Sequence, residues 1–444
     1  MPYNEENENG GIYMIKTKKT PKFYLALVIF SLVGQVAWVM ENMYLTVFIY
    51  KMFHASASAI SAMVAASAIS ATVTTLLIGA LSDKLGKRKI FICGGYIAWG
   101  ISIWSFSLLR MDVLGNLFPN VASAASLGVS LTIIMDCLMT FFGSSANDAC
   151  FNAWLTDVTD ETNRGAAEGI NSMMPLMAIL VVFGGFMGFD LSLSESWVTI
   201  FNVIGIVVIA IGVLGIFLIQ EPKVQTEENQ KYFANIFYGF RPSVVKKNPV
   251  LYLTFIAFAV FNIAIQIFMP YLILYYTESL KMANYVLIMA PAILLAGVFT
   301  AVYGRMYDRK GFKVAVIPTI VLLMAGFAVL YLFKNTALVF IGSLLMMAGY
   351  LGGMGIFGAM VRDHTPQNKA GMFQGLRICS QVLIPGMIGP AIGAKVLANA
   401  ETVINSDGTE SFIPNANIFL AAFIAAIVIF VALIPVFRAK KTEK

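Results

Sequence analysis

Charged residues are scarce in this sequence: Asp, Glu, Lys and Arg together make up 12% of its 444 residues. Hydrophobic residues make up 59%, and the mean hydropathy is +0.79. A soluble globular chain has about twice that share of charged residues, so water is excluded as the solvent for most of this protein. The composition indicates a lipid bilayer instead.

Histidine and cysteine are also rare, which excludes several kinds of site. His54 and His364 lie far apart in the sequence, so a metal site built on imidazole is not expected. The cysteines all fall inside predicted membrane spans, where cysteine packs as a small apolar residue, and they indicate no disulfide framework. They are Cys93, Cys137, Cys150 and Cys379. We therefore predict neither a metal nor a cofactor.

Signatures of catalysis are missing as well. The sequence has no His or Cys pair, no Gly-rich phosphate loop after a strand and no nucleophile elbow. An enzyme is therefore not predicted. No added soluble domain is apparent that would favour a signalling protein.

Long apolar segments are what the chain has in abundance. A spanning helix needs about 20 apolar residues, and twelve segments reach that length. They lie near residues 23–49, 57–82, 90–109, 131–156, 166–189, 197–220, 248–277, 284–304, 314–333, 337–361, 371–397 and 416–437. The strands of a membrane β-barrel would instead show apolar and polar residues in alternation. The sequence therefore predicts an all-α integral membrane protein with twelve transmembrane helices.

The placement of Lys and Arg predicts the orientation of these helices. If the amino terminus is cytoplasmic, the cytoplasmic segments hold 24 of the 30 cations and the opposite side holds five. Those five are Lys51, Arg110, Lys281, Lys334 and Lys395. The positive-inside rule then predicts both termini in the cytoplasm. We expect a multi-pass protein of the plasma membrane. The net charge of +6 is a topology signal and does not indicate nucleic acid binding.

Two charged turns with the same residue spacing divide the chain into a repeat. Each has a Gly, an Asp four positions later, a second Gly three positions after that, and then a cation. These residues are Gly79, Asp83, Gly86 and Arg88 in the first turn and, 225 positions later, Gly304, Asp308, Gly311 and Lys313 in the second. The pattern resembles the signature Gly-x-x-x-Asp-(Arg/Lys)-x-Gly-x-(Arg/Lys) of the major facilitator superfamily, which lies between the second and third helices of each half.

This resemblance implies a secondary transporter whose two pseudo-symmetric six-helix halves rock about a central site, an arrangement called alternating access. In the superfamily, the turn's Asp and cations form a cytoplasmic latch between the halves, which implies that role for Asp83, Arg88, Asp308 and Lys313. Anchoring of helix ends at the headgroups is the alternative. Gly86 is expected to supply a backbone angle that other residues avoid.

The expected divisions of the chain follow from the spans and the repeat. They are a cytoplasmic tail at 1–22, a first half at 23–220, a central cytoplasmic loop at 221–248, a second half at 249–437 and a cytoplasmic tail at 438–444. The run 232–240 in the central loop is predicted to form an interfacial amphipathic helix. Docking of a partner is the alternative for that run.

A second pair of landmarks predicts an enlarged connection in the first half. Asp157 and Gly165 recur as Asp363 and Gly371, at an offset of 206 instead of 225. The first half therefore has additional residues between its two landmarks. We expect them in the connection at 110–130, as a local lid.

Glu41 is a carboxyl group inside the first span, and charged groups in spans are costly and mark function by default. Trp38 lies on the same helical face and Asn42 is the next residue. Burial favours the neutral form of a carboxyl group. Glu41 is thus a candidate for gaining and losing a proton as access alternates, or for binding substrate. A purely structural hydrogen bond is the alternative.

The repeat also predicts a partner wall for Glu41. The offset of 225 maps Glu41 onto Gln266, and it maps Tyr50 onto Tyr275, whose ring is a candidate to line the cavity and contact substrate. A carboxylate and an amide at repeat-related positions are expected to face one another across a single cavity.

The fourth helix is polar at its middle. Ser144, Asp148 and Asn152 recur every four residues and share a face. Because that face cannot contact lipid cheaply, it is predicted to line the cavity, with Asp148 binding substrate or cation. Asp136, nearer the outer end, is a further candidate, unless it only reaches the outer interface.

Arg377 is a cation well inside the eleventh span, and Gln381 follows it by one turn. An unpaired buried guanidinium is costly, so we expect Arg377 to meet Glu41 or Asp148. The alternative is that it snorkels to the cytoplasmic surface, about 9 Å away.

Within the superfamily, the polar first helix and the Asp-x-Thr loops after the fourth and tenth helices look most like glycoside-pentoside-hexuronide:cation symporters and sucrose-type carriers. This resemblance implies a sugar or glycoside as substrate. Sodium-coupled members of that group have acidic residues in the second helix, whereas residues 57–82 have none. Protons are therefore the expected coupling ion, with sodium as the alternative.

Two other functions stay open, an exporter of amphipathic drugs and a non-transporting membrane sensor. The expected partners are a small-molecule substrate and the lipid bilayer, and the chain is expected to act as a monomer.

Overall fold

The computed structural model describes residues 20–119, 121–159, 163–221, 236–282, 284–365, 370–405 and 408–439. Within these ranges, twelve helices are long and apolar enough to span a membrane. They are α1 (Pro21–Phe53), α2 (Ala57–Leu85), α3 (Lys89–Leu108), α4 (Ala124–Val158), α5 (Ala166–Phe186), α6 (Ser194–Leu218), α7 (Pro249–Ser279), α8 (Val286–Lys310), α9 (Phe312–Leu332), α10 (Thr336–His364), α11 (Gly375–Val396) and α12 (Asn417–Arg438). The predicted tails and the first part of the predicted central loop fall largely outside the described residues.

The predicted spans and the observed helices agree one for one, because apolar length decides both. The main difference is α4, whose helix already begins at Val121. It packs closely on the end of α1, since a Cβ added at Gly128 would lie 2.3 Å from the Phe53 ring. The prediction of a lid over 110–130 is therefore wrong. A short helix, Met111–Leu117, leads almost directly into α4.

The two ends of the helix bundle differ. At one end, here called the motif end, α1 begins and the two charged turns connect α2 to α3 and α8 to α9. At the other, here called the hairpin end, the strands β1 (Thr402–Ile404) and β2 (Glu410–Phe412) form an antiparallel pair between α11 and α12. The short helix Pro242–Lys247 precedes α7 at the motif end.

Small residues bring the helices together, as is usual where lipid removes the hydrophobic drive for helix association. Within the second half, a Cβ added at Gly326 on α9 would lie 2.3 Å from the backbone nitrogen of Met346 on α10. Between the halves, Gly386 on α11 lies against Ala68 on α2. These close approaches fix the helices that surround the site.

Gly326→Ala is expected to lower the thermal stability of the protein. The added methyl group would meet the Met346 backbone at 2.3 Å, and forcing two packed helices apart costs about 1–3 kcal/mol. Thermal unfolding in detergent should show a melting temperature several degrees below that of the wild type. Gly358→Ala is the matched control, because nothing lies within 4 Å of a Cβ added there. An equal loss in both variants would contradict the packing explanation.

Candidate functional site

Glu41 lies in a π-helical turn of α1, Met40–Tyr44, and is 6% exposed. Its Oε1 accepts hydrogen bonds of 2.9 Å from Ser67 on α2 and of 2.9 Å from Thr140 on α4. Its Oε2 is buried and has no hydrogen-bond partner in the described part of the chain. Single π-turns often mark functional sites. Glu41 therefore joins three helices and keeps one oxygen available for a proton or a ligand.

Asp136 on α4 lies beside Glu41. It is 2% exposed, its Oδ1 is buried without a partner among the described residues, and the Glu41 carboxyl acts on it electrostatically. The alternative that Asp136 only reaches the outer interface is therefore wrong. Among the described residues, neither Glu41 nor Asp136 forms an ion pair with a cation. Because two buried negative charges repel, protonation of one of the two carboxyl groups would stabilise the pair.

Ser67 and Thr140 are site residues that sequence reasoning missed. Their hydroxyl oxygens lie 2.8 Å apart, and both contact Glu41. Hydroxyl side chains are common in spans, so the sequence around Ser67 does not mark it as a site residue. Thr140 could have been predicted, because it lies four residues after Asp136 and four before Ser144 on the polar face of α4.

Two more predicted residues flank Glu41 on α1. The Trp38 ring packs against Trp99 on α3 with ring centroids 5.0 Å apart, and its buried Nε1 has no partner among the described residues. Asn42 is exposed and donates from Nδ2 to the Trp38 carbonyl at 2.8 Å. An indole donor and an amide thus lie within one turn of the Glu41 carboxyl.

Asp148 and its neighbours lie in a second π-helical turn, Ser144–Phe151 of α4. Ser144 donates to Asp148 Oδ2 at 3.1 Å, which confirms the predicted shared face for these two residues. Asn152 is exposed and donates to the backbone carbonyl of Asp148 at 3.2 Å. Asp148 is half-buried and acts electrostatically on Glu41.

The second-half residues fit the prediction less well. Gln266 on α7 is half-buried, with its Cβ against Gly389 on α11. Tyr275 is 1% exposed, packs on Phe419 and donates to the Leu330 carbonyl at 3.3 Å. It therefore lies in the core of the second half and not on a cavity wall as predicted.

The cause of this difference is local helix geometry. A 3₁₀ turn, Met269–Tyr271, and a π-turn, Tyr275–Ser279, change the direction of the side chains at the end of α7. Tyr271, four residues before Tyr275, does reach the first half, since its hydroxyl donates to the Ala57 carbonyl on α2 at 3.0 Å.

Arg377 does not meet Glu41 or Asp148. It is exposed and donates from Nε to Gln381 at 3.3 Å, and Glu168 on α5 is the acid that acts on it electrostatically. The predicted pairing is therefore wrong in this conformation. The physical reason is that the nearby Glu168 carboxylate already favours the charge of Arg377, so that pairing with Glu41 or Asp148 is not required.

The first charged turn forms a cluster within its own half. The Arg88 guanidinium lies 2.5 Å from Asp83 and 2.9 Å from Asp157 at the end of α4. Its backbone N–H donates to Glu221, which follows α6. Burial lowers the pKa of Arg88, but Asp83 and Asp157 raise it more, so that the pKa ends above its ordinary value. Gly86 has φ 62°, which confirms the predicted backbone angle.

The second charged turn repeats the positive φ of the second Gly but not the ion pairs. Gly311 has φ 79°, and Lys313 lies over the Phe437 ring, 5.4 Å from its centroid. Asp363, the repeat partner of Asp157, accepts from the Tyr307 hydroxyl at 2.5 Å. Among the described residues, neither turn forms an ion pair across the halves, so the predicted latch stays a prediction.

The contacts between the halves at the hairpin end involve the last turns of α1. They are the Lys51–Glu278 ion pair at 2.6 Å, the Tyr44–Tyr285 hydroxyl pair at 2.8 Å, the Tyr50 bond to the Phe412 carbonyl at 2.6 Å and the His54–Ser411 bond at 3.1 Å. The structure is thus closed at the hairpin end. Exposed polar residues such as Arg377 and Asn152 then belong to the side that faces the motif end.

Lys51→Glu is expected to weaken this closure, because it sets two carboxylates against each other where a 2.6 Å ion pair existed. For a partly exposed pair, the population open at the hairpin end should rise about fivefold. The measurement is the labelling rate of Ala57→Cys by an impermeant maleimide in a cysteine-free background. The swap Lys51→Glu with Glu278→Lys should restore slow labelling, and persistent fast labelling in the swap would contradict the ion pair's role.

The fold and the buried carboxyl site define a membrane transporter with twelve spanning helices. Comparison with protein families matches residues 24–390 to the Major Facilitator Superfamily. The chain therefore belongs to that superfamily and is a secondary transporter, not an enzyme. No curated protein matches the chain in sequence.

Several solved structures share the fold over nearly the whole chain. A mutant of the nucleoside transporter NupG has a TM-score of 0.69 at 15% identity and covers 94% of this chain and 100% of its own. A bacterial homologue of the human lysosomal transporter Spinster, inward-facing and occupied, has 0.71 at 13%, with 95% and 98% covered. The xylose transporter XylE from E. coli, partially occluded and inward open, has 0.67 at 13%, with 93% and 98% covered. At these identities the likeness shows the fold alone.

Proposed function

We propose that this transporter is a proton-coupled symporter of a sugar or glycoside, with Glu41 as the group that takes up and releases the coupling proton. The observation that supports this most is the Glu41 site itself. A buried carboxyl group on α1 has one oxygen held by Ser67 and Thr140 and the other without a partner among the described residues. Protonation of that free oxygen would remove a charge that lipid and protein disfavour.

Asp136 has a supporting role in this proposal. With Glu41 charged, a neutral Asp136 avoids a second buried negative charge beside it, and the reverse holds equally. Ser67 and Thr140 keep the Glu41 carboxyl in place in both cases, since each hydroxyl lies within 2.9 Å of Oε1. The site then exchanges one proton at a time with whichever side is open.

The substrate is proposed to bind beside this pair, toward the motif end. Asn42, Asn152 and Arg377 are exposed there, and Gln381 is half-buried next to Arg377. Amides and charged groups suit hydroxyls, and the Trp38 ring suits an apolar sugar face. Gln266 and Asp148 complete the proposed cavity, whereas Tyr275 is left out of it.

The energy supplied by one coupled proton is sufficient to drive accumulation of the substrate. A single charge that crosses about 100 mV supplies about 2.3 kcal/mol, which accumulates a neutral substrate about fiftyfold. The resemblance to glycoside-pentoside-hexuronide:cation symporters favours a sugar. A solved D-xylose-proton symporter shares the fold, with a TM-score of 0.71 at 11% identity, so this fold accommodates such coupling.

The charge distribution supports a cytoplasmic motif end, with both termini inside and the division at 221–248 between the halves. In that orientation the structure is the inward-open state. Closure at the motif end would then bring the turns around Asp83 and Asp308 toward the opposite halves as the latch. We propose a monomer, because each chain has its own complete carboxyl site.

The test is uptake of a panel of labelled mono- and disaccharides into proteoliposomes, under a proton gradient and separately under a sodium gradient. Proton-driven accumulation of one sugar is the expected result. Sodium-driven accumulation would identify sodium as the coupling ion instead of the proton. The two carboxylates and two hydroxyls of the site also offer oxygen ligands to a hard cation. If neither gradient drives any sugar, the sugar assignment fails and amphipathic drugs become the next panel.

A further inference from the structure

The segment at 236–248, which leads into α7, has a composition that the transport site does not explain. Its three charged residues are all cations, Arg241, Lys246 and Lys247, and all three are exposed. Large apolar side chains on the same segment are exposed too, with Phe237 at 66% and Phe240 at 46%. Exposed aromatic rings beside exposed cations are the pattern of a segment lying in a membrane interface.

The position of this lead-in segment agrees with its composition. It consists of the 3₁₀ turn Tyr238–Phe240 and the short helix Pro242–Lys247, and α7 enters the bilayer at Pro249, directly after it. A segment directly before a spanning helix is expected at the level of the headgroups, here those of the leaflet at the motif end. Arg241 is held there by the Tyr238 ring, 5.7 Å from its centroid.

The other side of the lead-in segment packs on the helix Ala370–Ile378, which continues into α11. Tyr238 contacts the Phe373 ring at 6.0 Å, and Tyr252 contacts the same ring at 6.4 Å. The Tyr252 hydroxyl donates to the Gly239 carbonyl, which ties the segment to α7 as well. Phe373 is four residues before Arg377, so the segment touches the helix that holds this proposed site residue.

We propose that the lead-in segment docks on anionic phospholipid headgroups, with Phe237 and Phe240 inserted among the lipids and the three cations on the phosphates, and that this docking steadies the first turns of α11. Anionic headgroups attract basic residues near the surface, and the segment has no acid to oppose them. The proposal does not depend on the identity of the substrate or the coupling ion.

The first test is lipid retention by the full-length protein, measured by native mass spectrometry after exchange into mixed micelles of phosphatidylglycerol and phosphatidylcholine. The wild type is expected to retain phosphatidylglycerol preferentially. The variant Arg241→Gln, Lys246→Gln, Lys247→Gln should lose about fivefold in that preference for each cation removed. The control variant Lys84→Gln, Lys87→Gln removes exposed cations from the first charged turn and should keep the preference.

The second test addresses α11 directly. Amide hydrogen exchange of residues 373–378 is compared in nanodiscs of phosphatidylcholine alone and of phosphatidylcholine with phosphatidylglycerol. Exchange should slow in the anionic nanodiscs for the wild type and the control variant, but not for the triple variant. The proposal is overturned if the wild type shows no preference for phosphatidylglycerol, or if the control variant loses that preference as much as the triple variant does. It is also overturned if the exchange rate of residues 373–378 in the wild type is the same in both kinds of nanodisc.

Discussion

Glu41→Gln is expected to abolish uphill accumulation of substrate while exchange of substrate across the membrane continues. The Gln amide oxygen can still accept from Ser67 and Thr140, so the helices stay joined. The amide cannot ionise, so no proton is released when access alternates. Accumulation should fall from about fiftyfold to none, as measured by gradient-driven uptake and by counterflow in the same proteoliposomes.

Glu195→Gln is the control for this experiment, because it makes the same chemical change at an exposed carboxyl in the first turn of α6. Uptake by that variant should match the wild type. Full accumulation by Glu41→Gln would remove Glu41 from the coupling site. If Asp136→Asn alone loses accumulation, the proton belongs to Asp136 instead.

Arg88→Ala is expected to cause the largest loss of stability among single substitutions at the charged turns. The Arg88 side chain is 5% exposed, and its removal leaves Asp83 and Asp157 facing each other without a cation. The cost should be about 3 kcal/mol, the lower end for breaking a buried ion pair, because Asp83 is itself half exposed. Thermal unfolding in detergent measures the loss.

Lys313→Ala is the repeat-related control, since Lys313 is exposed and contacts the Phe437 ring without an ion pair among the described residues. Its cost should be about 0.5–1 kcal/mol. Because the charges of Asp83 and Asp157 raise the pKa of Arg88 above its ordinary value despite burial, the contribution of Arg88 is complete below that ordinary value and is lost only as the pH rises through the folded pKa. The difference between the variants should therefore persist across neutral and mildly alkaline pH. Equal losses in both variants would contradict the cluster's role.

The spans and the turns could be predicted from the sequence because each depends on a local property. Apolar length alone determines a spanning helix, and Gly86 marks a backbone angle that a side chain disfavours. The start of α4 was missed because the residues before 131 are small and mixed in polarity. Their helix depends on packing of Gly128 against Phe53, a contact that no local pattern reveals.

The site was only partly predictable, for a different reason. One extra residue in a helical turn rotates everything after it by about 100°, and π-turns occur in α1, α4, α7 and α11. The scarcity of charge in the spans therefore identified Glu41, but the repeat offset placed Tyr275 wrongly. Asp136 and Ser67 became neighbours of Glu41 only through packing of three helices, which the order of residues along one helix does not show.

Substrate-driven proton movement tests the central claim, that Glu41 carries the coupling proton, most directly. A transported sugar is added to lightly buffered proteoliposomes without an imposed gradient, and a pH indicator follows the external medium. The wild type should make the medium more alkaline as labelled sugar enters, and Glu41→Gln should leave it unchanged while still exchanging sugar. Sugar entry without any pH change in the wild type, or equal alkalinisation by both proteins, would contradict the claim.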